Sequence, residues 1–194
     1  LTKIIQEKEI VCEKCGQKTF TEAKTFNLLF QTSIGKTETD KTVIYLRGEI
    51  AQAMFVNFKQ VLDSTRRRLP FGIASVGKAF RNEITPGNFI FRTLEFDLME
   101  FEYFIRKEDW EKWFEYWLNN MKEWLVELGF DPNNFSVREH TKDELSFYST
   151  RTVDIEYHTP FGAKEMFGLA YRGDYDLKNH MEKSGQDLQY TDPQ

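Results

Sequence analysis

The sequence predicts an α+β fold in which an antiparallel β-sheet is flanked by helices. Three observations lead there. Strand-like runs are joined by hairpin-type turns, and the helical periodicities stand apart from them instead of alternating with each strand. An aromatic fraction of 15%, with 18 Phe, supplies large apolar groups for a core although 29% of the residues are charged. At 194 residues the chain can build one substantial core, so one domain with a small appendage is expected.

Residues 1–25 are polar and read as a Cys-containing knuckle or connector. Cys12 and Cys15, the only two cysteines, form Cys-Glu-Lys-Cys-Gly, a spacing used in zinc knuckles. Four-coordinate zinc needs two more ligands, and His140, His158 and His180 lie far along the chain. Half a zinc site and a pair of surface thiols in a reducing cytosol are therefore equal readings. Residues 42–47 read as a short strand. Ile50, Ala51, Met54, Phe55, Phe58, Val61 and Leu62 then recur at three and four, which predicts a helix with its apolar stripe turned inward. The basic run Arg66-Arg67-Arg68 fits a solvated helix end as well as a nucleic-acid contact.

Pro70 and Gly72 punctuate the entry to a strand over 73–83, and its partner is expected over 89–105. The clearest helix spans 108–128. Trp110, Trp113, Phe114, Trp117, Leu118, Met121, Trp124, Leu125 and Leu128 share its stripe, and Gly129 is placed to cap it. A core stripe against the sheet explains these Trp better than a base-stacking surface does. Residues 131–150 read as a polar loop, 152–158 and 164–171 as two further strands across the turn Thr159-Pro160-Phe161-Gly162, and 178–194 as an exposed tail.

The stretch from Phe80 to Glu100 carries most of the functional information. Charged and apolar residues alternate on both sides of Thr85-Pro86-Gly87-Asn88, which reads as two antiparallel strands around a turn. Side-chain alternation puts Arg92, Leu94, Phe96, Leu98 and Glu100 on one face and Phe91, Thr93, Glu95, Asp97 and Met99 on the other. Arg81 and Glu83 share a face of the first strand. Two guanidiniums, an aromatic ring and carboxylates suit a nucleotide together with an ammonium-bearing substrate. Solvated salt bridges on a plain hairpin are the alternative.

These residues can be matched. Thr25 to Phe30 lies behind the Cys pair, and Tyr45-Leu46-Arg47-Gly48-Glu49-Ile50-Ala51-Gln52 is similar to an Arg-Pro-Glu-Thr-Ala-Gln element. Gly77 to Glu83 opens a class II motif 2, and Glu165 to Leu177 is similar to a Gly-Ile-Ala-x-Arg-x-Asp-x-Asp-Leu run. On these four ordered segments, from Cys12 to about His180, the chain resembles the catalytic domain of the homodimeric type of glycyl-tRNA synthetase, a class II aminoacyl-tRNA synthetase. The resemblance implies a class II antiparallel sheet flanked by helices over 26–178, followed by the tail 179–194. It implies a cytoplasmic ligase of protein biosynthesis that activates glycine with ATP and Mg²⁺ and charges tRNA(Gly), working as a homodimer. By the same resemblance Arg81 is catalytic. Arg81, Asn82, Glu83, Phe91, Arg92, Phe96, Glu165 and Met166 contact ATP, Glu165 holds Mg²⁺, and Glu49, Phe96 and Glu100 bind glycine. Gly48, Ile50, Gly87 and Leu94 depart from the family pattern, the last two replacing arginines. Motif 1, motif 3 and the anticodon-binding domain have no counterpart in the sequence, so an incomplete catalytic domain, inactive by itself, is expected. A synthetase-like accessory protein without activity and a zinc-knuckle nucleic-acid module are the competing readings.

A net charge of −5 argues against a generally basic, nonspecific nucleic-acid binder. No apolar run approaches the roughly 20 residues of a membrane span, and no signal-like segment opens the sequence, so a soluble protein without a membrane partner is expected.

Overall fold

The computed structural model describes residues 2–87 and 89–192. The chain divides into two compact units, Leu1–Gly48 with Lys78–Phe96, and Glu49–Gly77 with Asp97–Gln194, where its length suggested one domain. The division cuts through two long strands, so chain order alone does not reveal it. Among the described residues no helix is long and apolar enough to cross a membrane.

In the first unit, α1 (Thr2–Glu7) precedes a tight turn in which Gly16 N donates to Cys12 O at 2.8 Å and Cys12 N to Gln17 O at 2.9 Å. Strands β1 (Gln31–Ile34) and β2 (Thr42–Tyr45) pair antiparallel, Gln31 opposite Tyr45 and Ile34 opposite Thr42. The unit also holds the far end of β3 (Phe71–Phe80) and the beginning of β4 (Glu95–Phe104). These two strands pair with each other. Arg81 N donates to Leu94 O, while Gly72 lies against Glu102 and Tyr103, so the pairing is antiparallel.

Both strands are shorter than the expected 73–83 and 89–105. Glu83 N turns back to Arg81 O at 3.0 Å, and Pro86 has no N–H to give a ladder. Gly87 and Arg92 then close a small bridge with reciprocal N–H···O bonds of 3.2 Å. Asn88 of the expected turn lies outside the described residues.

In the second unit the helix expected over 50–62 is two helices, α2 (Ala51–Val56) and α3 (Phe58–Thr65). They meet at Asn57, whose side-chain amide donates to Ala53 O at 2.7 Å and so competes locally with regular helix bonding. Phe58, Leu62 and Phe71 form a core with Leu188, and the Phe104 ring sits 4.6 Å from Phe58. Helix α4 (Trp110–Glu127) ends as Gly129 allows. At φ +92 that residue donates to Val126 O, and Phe130 N reaches back to Leu125 O, the paired bonds of a Schellman cap.

The apolar stripe of α4 divides. Phe114, Leu118 and Leu125 pack with Val153 and Ile155 of β6 (Arg151–Thr159), whereas Trp113 and Trp117 meet Tyr103 of β4 at 5.3 and 5.1 Å. Leu128 remains 56% exposed. The three-stranded sheet runs β5 (Phe135–Glu139), β6, β7 (Gly162–Tyr171), all antiparallel. β5 lies inside the expected loop 131–150; only Phe135 and Val137 give it an apolar alternation, too little to register as a strand.

The tail expected from 178 onward needs correction, because α5 (Tyr175–Ser184) occupies its first part. Leu177 and Met181 pack from α5 onto the Phe58 core, and beyond Gly185 Leu188 is only 7% exposed. Pro193 and Gln194 lie outside the described residues.

Candidate active site

Within the first unit the bend after β3 gathers the motif residues. Arg81 Nε donates to Gly48 O at 3.2 Å, and its guanidinium stands 5.3 Å from the centre of the Phe96 ring. A planar cation held by one backbone bond and one ring is fixed in direction while keeping its donor fork for an anion. Asn82 is committed to structure: its backbone N bonds Leu28 O at 3.0 Å and its side-chain amide bonds Asn27 O at 2.9 Å. Arg92 Nη1 lies 3.2 Å from Glu83 Oε2, so Arg92 and Glu83 meet as a pair. Phe91, in the loop before β4, is partly exposed.

Within the second unit several carboxylates gather along β4 and at the starts of α2 and α5. Burial in β4 alternates, Glu95, Asp97 and Met99 exposed and Phe96, Leu98 and Glu100 partly covered, as the strand period requires. Glu100 Oε2 accepts from Ile50 N at 2.9 Å, which anchors its carboxylate where α2 begins, at the residue after Glu49. Two residues on, Glu102 lines a cavity of about 620 Å³ together with Tyr148, Arg172 and Asp176. Burial pushes the Glu102 carboxyl up to about 7; the nearby Arg172 charge opposes this, and Asp176, Glu100 and Glu49 add to it. Arg172 donates Nε and Nη2 to Asp176 at 2.7 and 2.9 Å, and its guanidinium lies 3.9 Å from the Tyr148 ring centre. Burial alone would raise the Asp176 carboxyl, but bonds from Arg172 and from Gln52 Nε2 hold it below the usual carboxylate range. Gln52 in turn meets His180 Nε2 at 2.9 Å.

A second polar group of that unit lies on β5, β6 and β7. Asp154 is 4% exposed and contacts Arg138 Nη2 and His140 Nε2, both at 2.7 Å. A register shift between Ile155 and Glu156 brings Glu165 opposite Glu156 and leaves Met166 without a partner residue in the ladder. Glu165 Oε1 comes within 3.3 Å of where a Cβ on Gly168 would stand, next to Asp154 Oδ1 at 3.7 Å.

These elements match a known domain: residues 30–184 fit the family described as tRNA synthetase class II core domain (G, H, P, S and T). The chain belongs to this family. The class II core has curated relatives that include a glycine–tRNA ligase of Caldanaerobacter subterraneus subsp. tengcongensis, 52% identical over 193 residues, which are 100% of this chain and 42% of that protein. Another, from Geobacillus thermodenitrificans, is 53% identical over 99% of this chain and 41% of its own length. A third, from Clostridium tetani, is 52% identical over 100% and 42%. The chain thus spans about two fifths of the length of these relatives.

In this class II core, Arg81, Glu83, Arg92 and Phe96 fall in the first unit, and Glu49, Glu100, Glu165 and Met166 in the second. Arg81 is brought to Phe96, Glu83 to Arg92, and Glu100 to the backbone of Ile50, the residue after Glu49. Sequence reasoning passed over Glu102, Gln52, Tyr148, Arg172, Asp176 and His180 as site residues. Glu102 could have been found from its two-residue spacing behind Glu100, and Arg172 with Asp176 from their four-residue spacing. Cys12 and Cys15 lie in the tight turn, where N–H groups of Cys15 and Lys14 lower the Cys12 thiol from its ordinary value. Among the described residues no group of three or more His, Cys, Asp or Glu is arranged to hold a metal.

Proposed function

We propose that the chain is the ATP- and glycine-binding portion of a glycine–tRNA ligase. The observation that carries this reading is the anchored Glu100 carboxylate, which accepts from Ile50 N, the residue after Glu49, while the charges of Glu49 and Glu100 both act on Glu102. Two carboxylates near one another favour a ligand that brings a positive charge, such as the ammonium of an amino acid. The relatives at 52–53% identity, each described as a glycine–tRNA ligase, support the choice of amino acid.

In such an enzyme the glycine carboxylate attacks the α-phosphorus of ATP in line, giving glycyl-adenylate and pyrophosphate. Both reactants are already charged, so the protein's task is positioning and charge neutralisation. The oriented fork of Arg81 suits the α-phosphate. Arg92 supplies a second cation, held by Glu83, and Phe91 and Phe96 supply aromatic surface for the nucleotide. Asn82 acts on this reading through the backbone it braces. Glu165, with its ladder neighbour Met166, would present a carboxylate to Mg²⁺. One carboxylate together with phosphate oxygens and water is a usual set for that ion, so the residue fits, and bound Mg²⁺ would neutralise phosphate charge. Selection against alanine is steric, since glycine offers no group of its own to contact.

Transfer to tRNA(Gly), a homodimeric state and a cytoplasmic site of action belong to the same proposal. So does zinc at Cys12 and Cys15, where the lowered Cys12 thiol in an N–H-lined turn suits a thiolate ligand. The test is glycine-dependent exchange of pyrophosphate into ATP by the full-length protein. Exchange is expected, and Arg81→Ala should lower it by about 10²–10³-fold, the range for losing one transition-state donor. Absence of exchange in folded full-length protein rejects the ligase reading. It would favour an accessory protein without activity, a reading motivated by Gly87 and Leu94 in place of arginines.

A further inference from the structure

The basic run Arg66-Arg67-Arg68 has no part in the site described above. All three side chains are exposed where α3 ends, and among the described residues no carboxylate forms an ion pair with any of them. The nearby acids are engaged elsewhere. Asp63, three residues before Arg66 and four before Arg67, pairs with Lys59 at 3.4 Å. Asp192, on which the charge of Arg68 acts, is taken by Arg106, whose Nη2 lies 2.6 and 2.5 Å from its two oxygens. Arg66 itself closes α3 at φ +52, its N–H on Leu62 O at 2.8 Å. Glycine adopts that left-handed conformation without a Cβ penalty, yet an arginine stands there. The chain has more acidic than basic residues, 31 against 26, and still leaves three neighbouring guanidiniums unpaired. Like charges so close repel one another, a cost that an incoming anion reverses.

The partner such a run fits is a polyanion with regularly spaced charges, since each guanidinium offers phosphate a planar fork of donors. A lipid surface fits less well. The exposed neighbours Ser64, Thr65 and Pro70 bring no large apolar side chain to bury in it, and Leu69 packs against the Phe58 core. We propose that Arg66, Arg67 and Arg68 hold the phosphate backbone of the tRNA. This rests on the ligase reading above and adds an RNA contact made by none of the ATP or glycine residues. Backbone contacts of this kind add affinity and fix orientation without reading bases.

Binding of a tRNA(Gly) transcript to the full-length protein, followed by fluorescence anisotropy between about 0.05 and 0.2 M salt, reports how many phosphates are neutralised. Replacing all three residues, Arg66→Gln, Arg67→Gln and Arg68→Gln together, is expected to lower the slope of log K against log salt by about 2–3 and to weaken binding about 100-fold at about 0.15 M salt. Arg67→Gln alone should lower the slope by about 1, which keeps the proposal testable if the triple variant does not fold. Lysine at all three positions keeps the charges and should keep the slope. Glycine-dependent pyrophosphate exchange should be the same in every variant, because no tRNA takes part in that step. A folded Gln triple variant with the wild-type slope overturns the proposal. So does a triple variant that loses binding to phosphatidylserine vesicles but keeps its hold on tRNA, which would assign the run to a lipid surface. If the wild type neither exchanges pyrophosphate nor binds tRNA(Gly), the ligase reading falls and this proposal with it; exchange with an unchanged slope removes this proposal alone.

Discussion

Arg172 and Asp176 form a two-pronged ion pair, Nε to Oδ2 at 2.7 Å and Nη2 to Oδ1 at 2.9 Å, with side chains only 16% and 6% exposed. The pair fixes the start of α5 to the end of β7 and keeps the guanidinium against Tyr148. Removing one partner leaves the other charged and covered. Asp176→Ala is therefore expected to destabilise the protein by about 3–5 kcal/mol in urea unfolding. Asp176→Asn, which still accepts a hydrogen bond, should cost less. Because the Asp176 carboxyl is held below its ordinary value, its stabilisation is present above the unfolded-state pKa and is lost as pH falls through the folded one. Equal stabilities of wild type and Asp176→Ala at pH 7 would contradict this account.

Glu102 has the opposite sign. Its carboxyl is raised from 4.5 to about 7 by burial, so between those values the folded protein holds a proton that the unfolded chain has released. The Glu102 contribution to stability is thus fully present below 4.5 and is lost as pH rises toward 7, a change of about 3 kcal/mol in all. Glu102→Gln carries no charge at any pH. It should match the wild type near pH 5 and exceed it by about 3 kcal/mol at pH 8, read from urea midpoints at the two pH values. A difference that stays constant with pH would show that Glu102 titrates normally.

Much of this could be read from sequence, for identifiable reasons. α4 was legible because its apolar residues recur at three and four and Gly129 supplies the left-handed cap. The covered face of β4 was legible from alternation. Phe96, Leu98 and Glu100 fall on it as the period requires. The path from Arg81 to Leu94 was not, since it follows local bonds such as Glu83 N to Arg81 O that leave no periodic trace. Leu188 sits alone in a polar segment, and only its contact with the Phe58 core reveals its burial. In the pocket, Arg172 and Asp176 are four residues apart and could be paired by eye. Gln52, which bonds Asp176 from 124 residues away, could not.

The divided stripe of α4 makes its own expectation. Leu125 is 1% exposed within the Val153–Ile155 core, while Leu128, one turn on, is 56% exposed. Truncating the first leaves a cavity; truncating the second removes little that is covered. Leu125→Ala should cost about 2–5 kcal/mol in chemical unfolding, and Leu128→Ala about 0.5 kcal/mol or less. Similar losses from both would mean that Leu128 is covered in the full-length protein.

Gly168 offers a way to move Glu165 without changing its charge. A Cβ at this position would lie 3.3 Å from Glu165 Oε1 and 3.7 Å from Asp154 Oδ1. The nearer contact requires a shift of a few tenths of an ångström, and the end of the Glu165 side chain yields more easily than the β6–β7 backbone. Asp154 is tied to Arg138 and His140 and stays in place. Gly168→Ala should therefore leave unfolding stability within about 0.5 kcal/mol, since alanine in a strand offsets part of the crowding. If Glu165 presents its carboxylate to the Mg²⁺ that accompanies ATP, the same substitution should raise the KM for ATP and the Mg²⁺ needed for half-maximal exchange by about 3–10-fold. The KM for glycine should change less, because Glu49 and Glu100 are untouched. A rise confined to glycine would place Glu165 on the amino-acid side of the chemistry, and no kinetic change would remove it from the nucleotide site.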